Sequence, residues 1–216
     1  MEELSWMPES TVRLSFIQFV KGMKRLLLDT TVCYPKTPAG LRKIADVYDL
    51  LGLPGALGSC DCTQIPWSGC PAERQNICTG RYGYPTVSFL VICDHFGRIL
   101  YCSNGYPGST SDLTIAANDP FTRDIINGEY GLFKNHEFIL FDDTGSPMKF
   151  MGAYLVTDQG FQKLSCFMSP EPIGAERYQV HFYFKIAICS CLLYIRFSLL
   201  SGLRASEKTS SVFLVY

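Results

Sequence analysis

The run Thr86-Val87-Ser88-Phe89-Leu90-Val91-Ile92-Cys93 carries no charge and is rich in β-branched and aromatic residues, so it reads as a buried strand. Such a strand needs neighbours in a sheet, and the flanking chain supplies them. Asp94-His95-Phe96-Gly97 reads as a turn, and Arg98-Ile99-Leu100-Tyr101-Cys102 as the returning arm of a hairpin. Upstream, residues 56–66 read as a strand that ends in Gly58-Ser59-Cys60-Asp61-Cys62-Thr63-Gln64-Ile65-Pro66. Downstream, Gly105-Tyr106-Pro107-Gly108 breaks the pattern, and Ser109 or Ser111 caps a helix that runs towards Ile126. A polar linker leads to Gly152-Ala153-Tyr154-Leu155-Val156-Thr157-Asp158, a short strand with an acid at its carboxyl end. Two helices precede all of this. Residues 10–28 show the stripe Phe16, Val20, Met23 and Leu27 behind a cap at Ser10 or Thr11. A second helix has Thr37 as N-cap, Pro38 in its first turn, the stripe Leu41, Ile44, Tyr48 and Leu51, and Gly52 as its stop. Both are expected to pack against the sheet.

Strand, two-stranded hairpin, helix, strand is an α/β order. It is the opening of a ribonuclease H-like mixed sheet with flanking helices, in which carboxylates on the first and fourth strands come side by side. A chain of 216 residues suffices for one domain with appendages. Its formal charge of −1 creates no general field for nucleic acid, so DNA contact must come from a local patch. The acidic start Met1-Glu2-Glu3 is not a signal peptide, which predicts a nuclear or cytoplasmic rather than secreted protein. The ten cysteines then read as thiols. Cys60, Cys62, Cys70 and Cys78 raise the question of zinc, but their spacings match neither a C-x2-C pair nor a Cys/His finger.

Three acids fall where strands run out or helices begin: Asp61, Asp112 and Asp158. A mid-strand aspartate such as Asp61 is disfavoured without a partner, and carboxylates gathered at strand ends hold a hard divalent cation, Mg²⁺ or Mn²⁺, for phosphate chemistry. Asp158 also suits a turn, and Asp112 also suits the dipole of a helix's first turn. Asp94, Asp142 and Asp143 read as turn acids, and His95 as a solvated turn residue.

Four segments resemble one family. Gly55-Ala56-Leu57-Gly58-Ser59-Cys60-Asp61-Cys62-Thr63-Gln64-Ile65-Pro66 is similar to the first-aspartate motif of PIF/Harbinger-type transposases and the nucleases derived from them. Cys78-Thr79-Gly80-Arg81-Tyr82-Gly83-Tyr84-Pro85-Thr86 resembles the approach to that family's second strand. Asn104 to Asp112 resembles its glycine-rich turn, and Tyr154 to Phe161 its Asp-x-Gly-aromatic motif. The resemblance implies a DDE endonuclease in which Asp61 and Asp158 are catalytic and bind metal with Asp112, DNA is the substrate, and a separate DNA-binding protein can assist. Gln64 and Gln159 depart from the usual pattern. The larger departure is the family's final Glu: residues 182–196 contain no acid, and neither Glu176 nor Glu207 has the surrounding motif.

The chain therefore divides into an N-terminal helical segment at 1–52, a partial DDE endonuclease-like domain at 53–172, and an aberrant hydrophobic tail at 173–216, the fold being incomplete at its carboxyl end. Impaired cleavage is expected. The rival readings are a non-catalytic remnant that binds DNA or protein, and a small membrane-attached protein anchored by residues 182–200. Lys185 and Arg196 count against the last.

Overall fold

The computed structural model describes residues 8–32, 34–142, 144–161 and 164–169. A first helix, α1 (Glu9–Thr31), is followed by α2 (Pro38–Leu50) and the long strand β1 (Ala56–Pro66). A short helix α3 (Ala72–Cys78) leads into β2 (Thr86–Cys93), β3 (Ile99–Cys102) and the two-residue β4 (Tyr106–Pro107). Next come α4 (Asp112–Asn118), α5 (Pro120–Ile126) and the single turn α6 (Gly131–Lys134). The ribbon β5 (Glu137–Phe141) and β6 (Pro147–Met151) precedes β7 (Tyr154–Val156) and β8 (Phe167–Met168).

The main sheet is mixed, in the order β3-β2-β1-β7-β8, with β4 paired to β2. β1, β2 and β3 form an antiparallel meander, whereas β7 and β8 run parallel to β1. Helices flank this sheet, and the arrangement is consistent with a ribonuclease H-like fold. The core is the centre of β1 and β2 with what covers them: Leu57, Cys60, Leu90 and Ile92 are fully buried, and so are Ile115 of α4 and Leu155 of β7.

α2 shows how local sequence sets this packing. The Thr37 side chain accepts the Gly40 N–H at 3.2 Å, Pro38 supplies a preset φ, and Leu41, Ile44, Ala45 and Tyr48 make the buried face. Tyr48 then ties the helix to the sheet through a 2.9 Å hydrogen bond with Ser59 of β1. Tyr34 makes a second tie, donating to the Leu57 carbonyl.

Four expectations change. Ser10 and Thr11 lie inside α1, which starts after Pro8 with no side-chain cap. The stripe of α1 does not pack: Val20, Met23 and Leu27 are exposed, as are Phe19 and Leu26. The helix expected to reach Ile126 is two helices. The residue before a proline avoids helical ψ, so Asp119 turns extended and Pro120 restarts the chain as α5. Asp119 becomes a buried N-cap, accepting from Phe121 N at 3.1 Å, Thr122 N at 3.2 Å and the Tyr101 hydroxyl at 2.9 Å. The polar linker contains α6 and the β5–β6 ribbon, whose strands alternate too weakly to stand out as a hairpin. Among the described residues no helix is long and apolar enough to cross a membrane; the candidate anchor at 182–200 and the tail from 173 onward lie outside them.

Candidate functional site

The parallel register brings two of the acids together. Ala56 pairs with Tyr154 and Ser59 with Val156. The pairing is irregular between these two positions; Asp61 lies two residues past Ser59 within β1, and Asp158 two residues past Val156, beyond the end of β7, so both acids follow the same paired position. They are held differently. Asp61 is partly buried in the middle of β1, and its carboxylate accepts the Cys62 N–H at 2.7 Å. Asp158 is exposed beyond the end of β7, its carboxylate accepting the Gly160 N–H at 2.8 Å in the single 3₁₀ turn Gln159–Phe161.

Asp112 arrives from another direction. Ser111 caps α4 by accepting the Thr114 N–H at 3.2 Å, which sets Asp112 in the first turn. Its carboxylate meets the Cys62 thiol, the neighbour of Asp61, rather than Asp61 itself. The glycine-rich turn before α4 is fixed by close packing. A Cβ on Gly108 would sit 1.8 Å from Thr86 Oγ1 and 2.6 Å from the Cys78 carbonyl, and one on Gly80 would sit 2.3 Å from the Gly108 carbonyl. The loop carrying Arg81 and the turn leading to Asp112 therefore lie backbone against backbone, further joined by Gln64, whose amide donates to the Gly108 carbonyl at 3.3 Å.

Electrostatics follow from this crowding. Burial pushes the Asp61 carboxyl up to about 7, and Asp158 and Asp112 push the same way; the Cys62 N–H and the Arg81 charge oppose them. Burial also raises Asp112, with Arg81 countering and Asp158 adding. Burial raises the Cys62 thiol well above its usual range, and Asp112 raises it further. Three acids thus share one field, with Arg81 as a countercharge. No three His, Cys, Asp or Glu side chains among the described residues lie close enough to hold one ion jointly. Cys60, Cys62, Cys70 and Cys78 are free thiols: the first two lie on β1, Cys70 precedes α3 and Cys78 ends it.

In the sequence Arg74 and Arg81 are too sparse to count as a nucleic-acid patch; the glycine before Arg81 is the signal that could have singled it out. Asp94 is the turn acid expected, accepting from Phe96 N, Arg98 N and Arg98 Nε. His95 is not solvated: both ring nitrogens are buried without a partner, and its ring meets Tyr48 edge-on. Asp142 caps its turn, while Asp143, Glu176 and Glu207 lie outside the described residues.

A family model described as DDE superfamily endonuclease matches residues 60–187, which includes Asp61, Asp112 and Asp158 and extends past the composition shift after Pro172. The mouse (Mus musculus) protein named "Putative nuclease HARBI1" is 25% identical over 141 residues, 65% of this chain and 34% of its own length. The rat (Rattus norvegicus) protein of the same name is 29% identical over 83 residues, 38% of this chain and 24% of its own. The human (Homo sapiens) one is 28% identical over 83 residues, again 38% and 24%. The chain thus spans well under two thirds of these curated relatives. No solved structure gives a significant match.

Proposed function

The chain belongs to the DDE superfamily endonucleases, and from that premise we propose that residues 53–172 form a domain in which Asp61 and Asp158 bind Mg²⁺ or Mn²⁺ for work on DNA phosphodiesters, with Asp112 as an accessory acid. The observation that supports this reading is the β1–β7 pairing, since a partly buried carboxylate and an exposed one each lie two residues past its Ser59–Val156 pair. The donors fit a hard cation: they are oxygens, and the Asp61 carboxyl is held near neutrality by burial and by its acidic neighbours. A divalent ion would relieve that repulsion where a proton now does. Bound there, such ions would polarise the phosphoryl oxygens and activate water. Asp61 would hold its position through the Cys62 N–H, and Asp158 would close on the ion from the more adaptable strand end. Arg81 would steer a phosphate towards the pair.

Turnover is expected to be low, because residues 182–196 lack the acid that the family carries there. A separate DNA-binding partner accords with the formal charge of −1 and belongs to this same reading, as does a nuclear or cytoplasmic location. Manganese binding tests it directly. Titration followed by electron paramagnetic resonance should show Mn²⁺ bound by the full chain, with affinity at least tenfold weaker in Asp61→Asn and in Asp158→Asn. Equal affinity in all three proteins would sink the proposal. The rival, a non-catalytic DNA-binding remnant, is favoured by the lack of a preformed three-ligand cluster among the described residues. It predicts no Mn²⁺ effect on thermal stability or on plasmid nicking.

A further inference from the structure

β1 does not stop at Asp61; it runs on to a cleft that the carboxylates do not use. Pro66 and Trp67 beyond the end of β1 face Tyr84 and Pro85 from the loop before β2, and with Cys70 and Gln75 they line a hollow of about 340 Å³. The two walls are clamped by the Trp67 N–H, which donates to the Pro85 carbonyl at 2.9 Å. Gln75 is held with its amide on the Cys70 carbonyl at 3.3 Å. From Tyr84 the cleft wall continues as a stack of side chains. Tyr84 and Tyr82 lie 5.9 Å apart at 24°, and the Arg81 guanidinium sits 5.1 Å over the Tyr82 ring. Arg81 in turn acts on both Asp61 and Asp112.

The stack is exposed where a stable fold gains little from exposing it: Tyr82 is 48% and Tyr84 44% accessible. Its root, in contrast, is immobilised by the Gly80–Gly108 contact. A rigid base that presents open aromatic rings, a cation and a cleft has the makings of a platform for flat, apolar-faced groups. Nucleobases stack on tyrosine and tryptophan whatever their sequence, and a lone arginine serves the adjoining phosphate.

We propose that the Arg81–Tyr82–Tyr84 stack and the cleft beside Trp67 bind unpaired bases of a single-stranded DNA segment that leads to the phosphodiester at Asp61 and Asp158. This rests on the reading of those two acids given above and names the form of DNA they meet. Stacking supplies the affinity, because the chain's net charge of −1 offers no broad electrostatic attraction. Binding should therefore depend only weakly on salt, as expected for about one phosphate contact. A proline-rich peptide is the other occupant an aromatic groove accepts. Continuity of the stack with Arg81 and the acids favours DNA.

The chain has two tryptophans, so Trp6→Phe leaves Trp67 as its single tryptophan, which can be excited apart from the tyrosines. Oligothymidylate should quench Trp67, and a duplex of the same sequence should not. Tyr84→Ala should weaken binding about tenfold or more, while Tyr84→Phe keeps it; Tyr82→Ala serves if Tyr84→Ala fails to fold by circular dichroism. Unchanged affinity in the folded alanine variant, equal quenching by the duplex, or quenching by a proline-rich peptide but not by oligothymidylate would each overturn the proposal. The two readings fail separately. Mn²⁺ bound normally with oligothymidylate insensitive to Tyr84→Ala removes the platform alone. Oligothymidylate bound through Tyr84 with no Mn²⁺ site removes the metal pair and leaves the platform.

Discussion

The two halves of the main sheet are built to different standards. The antiparallel half, β3-β2-β1 with β4, rests on an eight-residue ladder from Ser59–Cys93 to Pro66–Thr86 and on backbone contacts at Gly80 and Gly108. The parallel half, β7 and β8, has strands of three and two residues and two paired positions between them. Asp61 belongs to the first half and Asp158 to the second. One carboxylate is therefore held by the fold at an electrostatic cost, and the other is left at a strand end that can adjust. The two acids thus share a field while standing on supports of unequal rigidity.

The sharpest way to break this contrast is to damage the firm half. Gly108→Ala places a methyl into Thr86 and the Cys78 carbonyl, with no flexible side-chain end to give way on the carbonyl side. We expect a loss of roughly 3 kcal/mol or more in urea denaturation. Gly160→Ala in the loose half meets only the Asp158 carboxylate, at 3.0 Å, and should cost far less.

The next effect is on pH. The folded Asp61 carboxyl titrates at about 7, above its value in the unfolded chain, so the native state holds a proton that the unfolded state has already lost. Its contribution is complete at low pH and disappears as pH rises through about 7. Without divalent ions, stability should therefore decline between roughly pH 4 and 7. Asp61→Asn should flatten that decline and stabilise the protein at pH 7.5 by about 1–2 kcal/mol, whereas Asp158→Asn, which removes one of the charges that push the Asp61 carboxyl up, should only make the decline shallower. A melting series across pH decides it; parallel profiles for wild type and Asp61→Asn would count against a strained Asp61.

The smallest effect probes the loose half itself. Ser169 donates to the Asp158 carbonyl and pairs with Thr157 Oγ1 at 3.0 Å. Ser169→Ala should cost less than about 1 kcal/mol of stability, yet weaken Mn²⁺ affinity several-fold by freeing Asp158. No change in affinity would mean that β8 does not position the acid.

The firm half was also the legible half. β1 and β2 were readable to the residue, because an uncharged β-branched run and a Gly-Ser-Cys-Asp-Cys-Thr strand have no competing local pattern. Thr37 and Pro38 announced α2 for the same reason. Where packing rather than local preference decides, the sequence was less informative. The Asp119-Pro120 break was written in the proline but outweighed by helical spacing on either side. β8 is too short to leave a period, and the exposed stripe of α1 looks identical to one that packs. Asp61 stood out as an acid within a strand and Asp158 as one just past a strand end. The platform did not, because Trp67 and Tyr84 lie 17 positions apart and only the register of β1 and β2 brings them face to face.

The Gly80–Gly108 contact bears on how such domains diversify. Two loops pressed backbone to backbone cannot be varied one at a time, since a side chain gained in either must be answered by the other. Residues 79–85 and 105–111 therefore make one exchangeable cassette. A chimera that swaps both between relatives should fold, and a library that randomises them should return glycine at these two positions while tolerating change at the exposed Tyr82 and Tyr84.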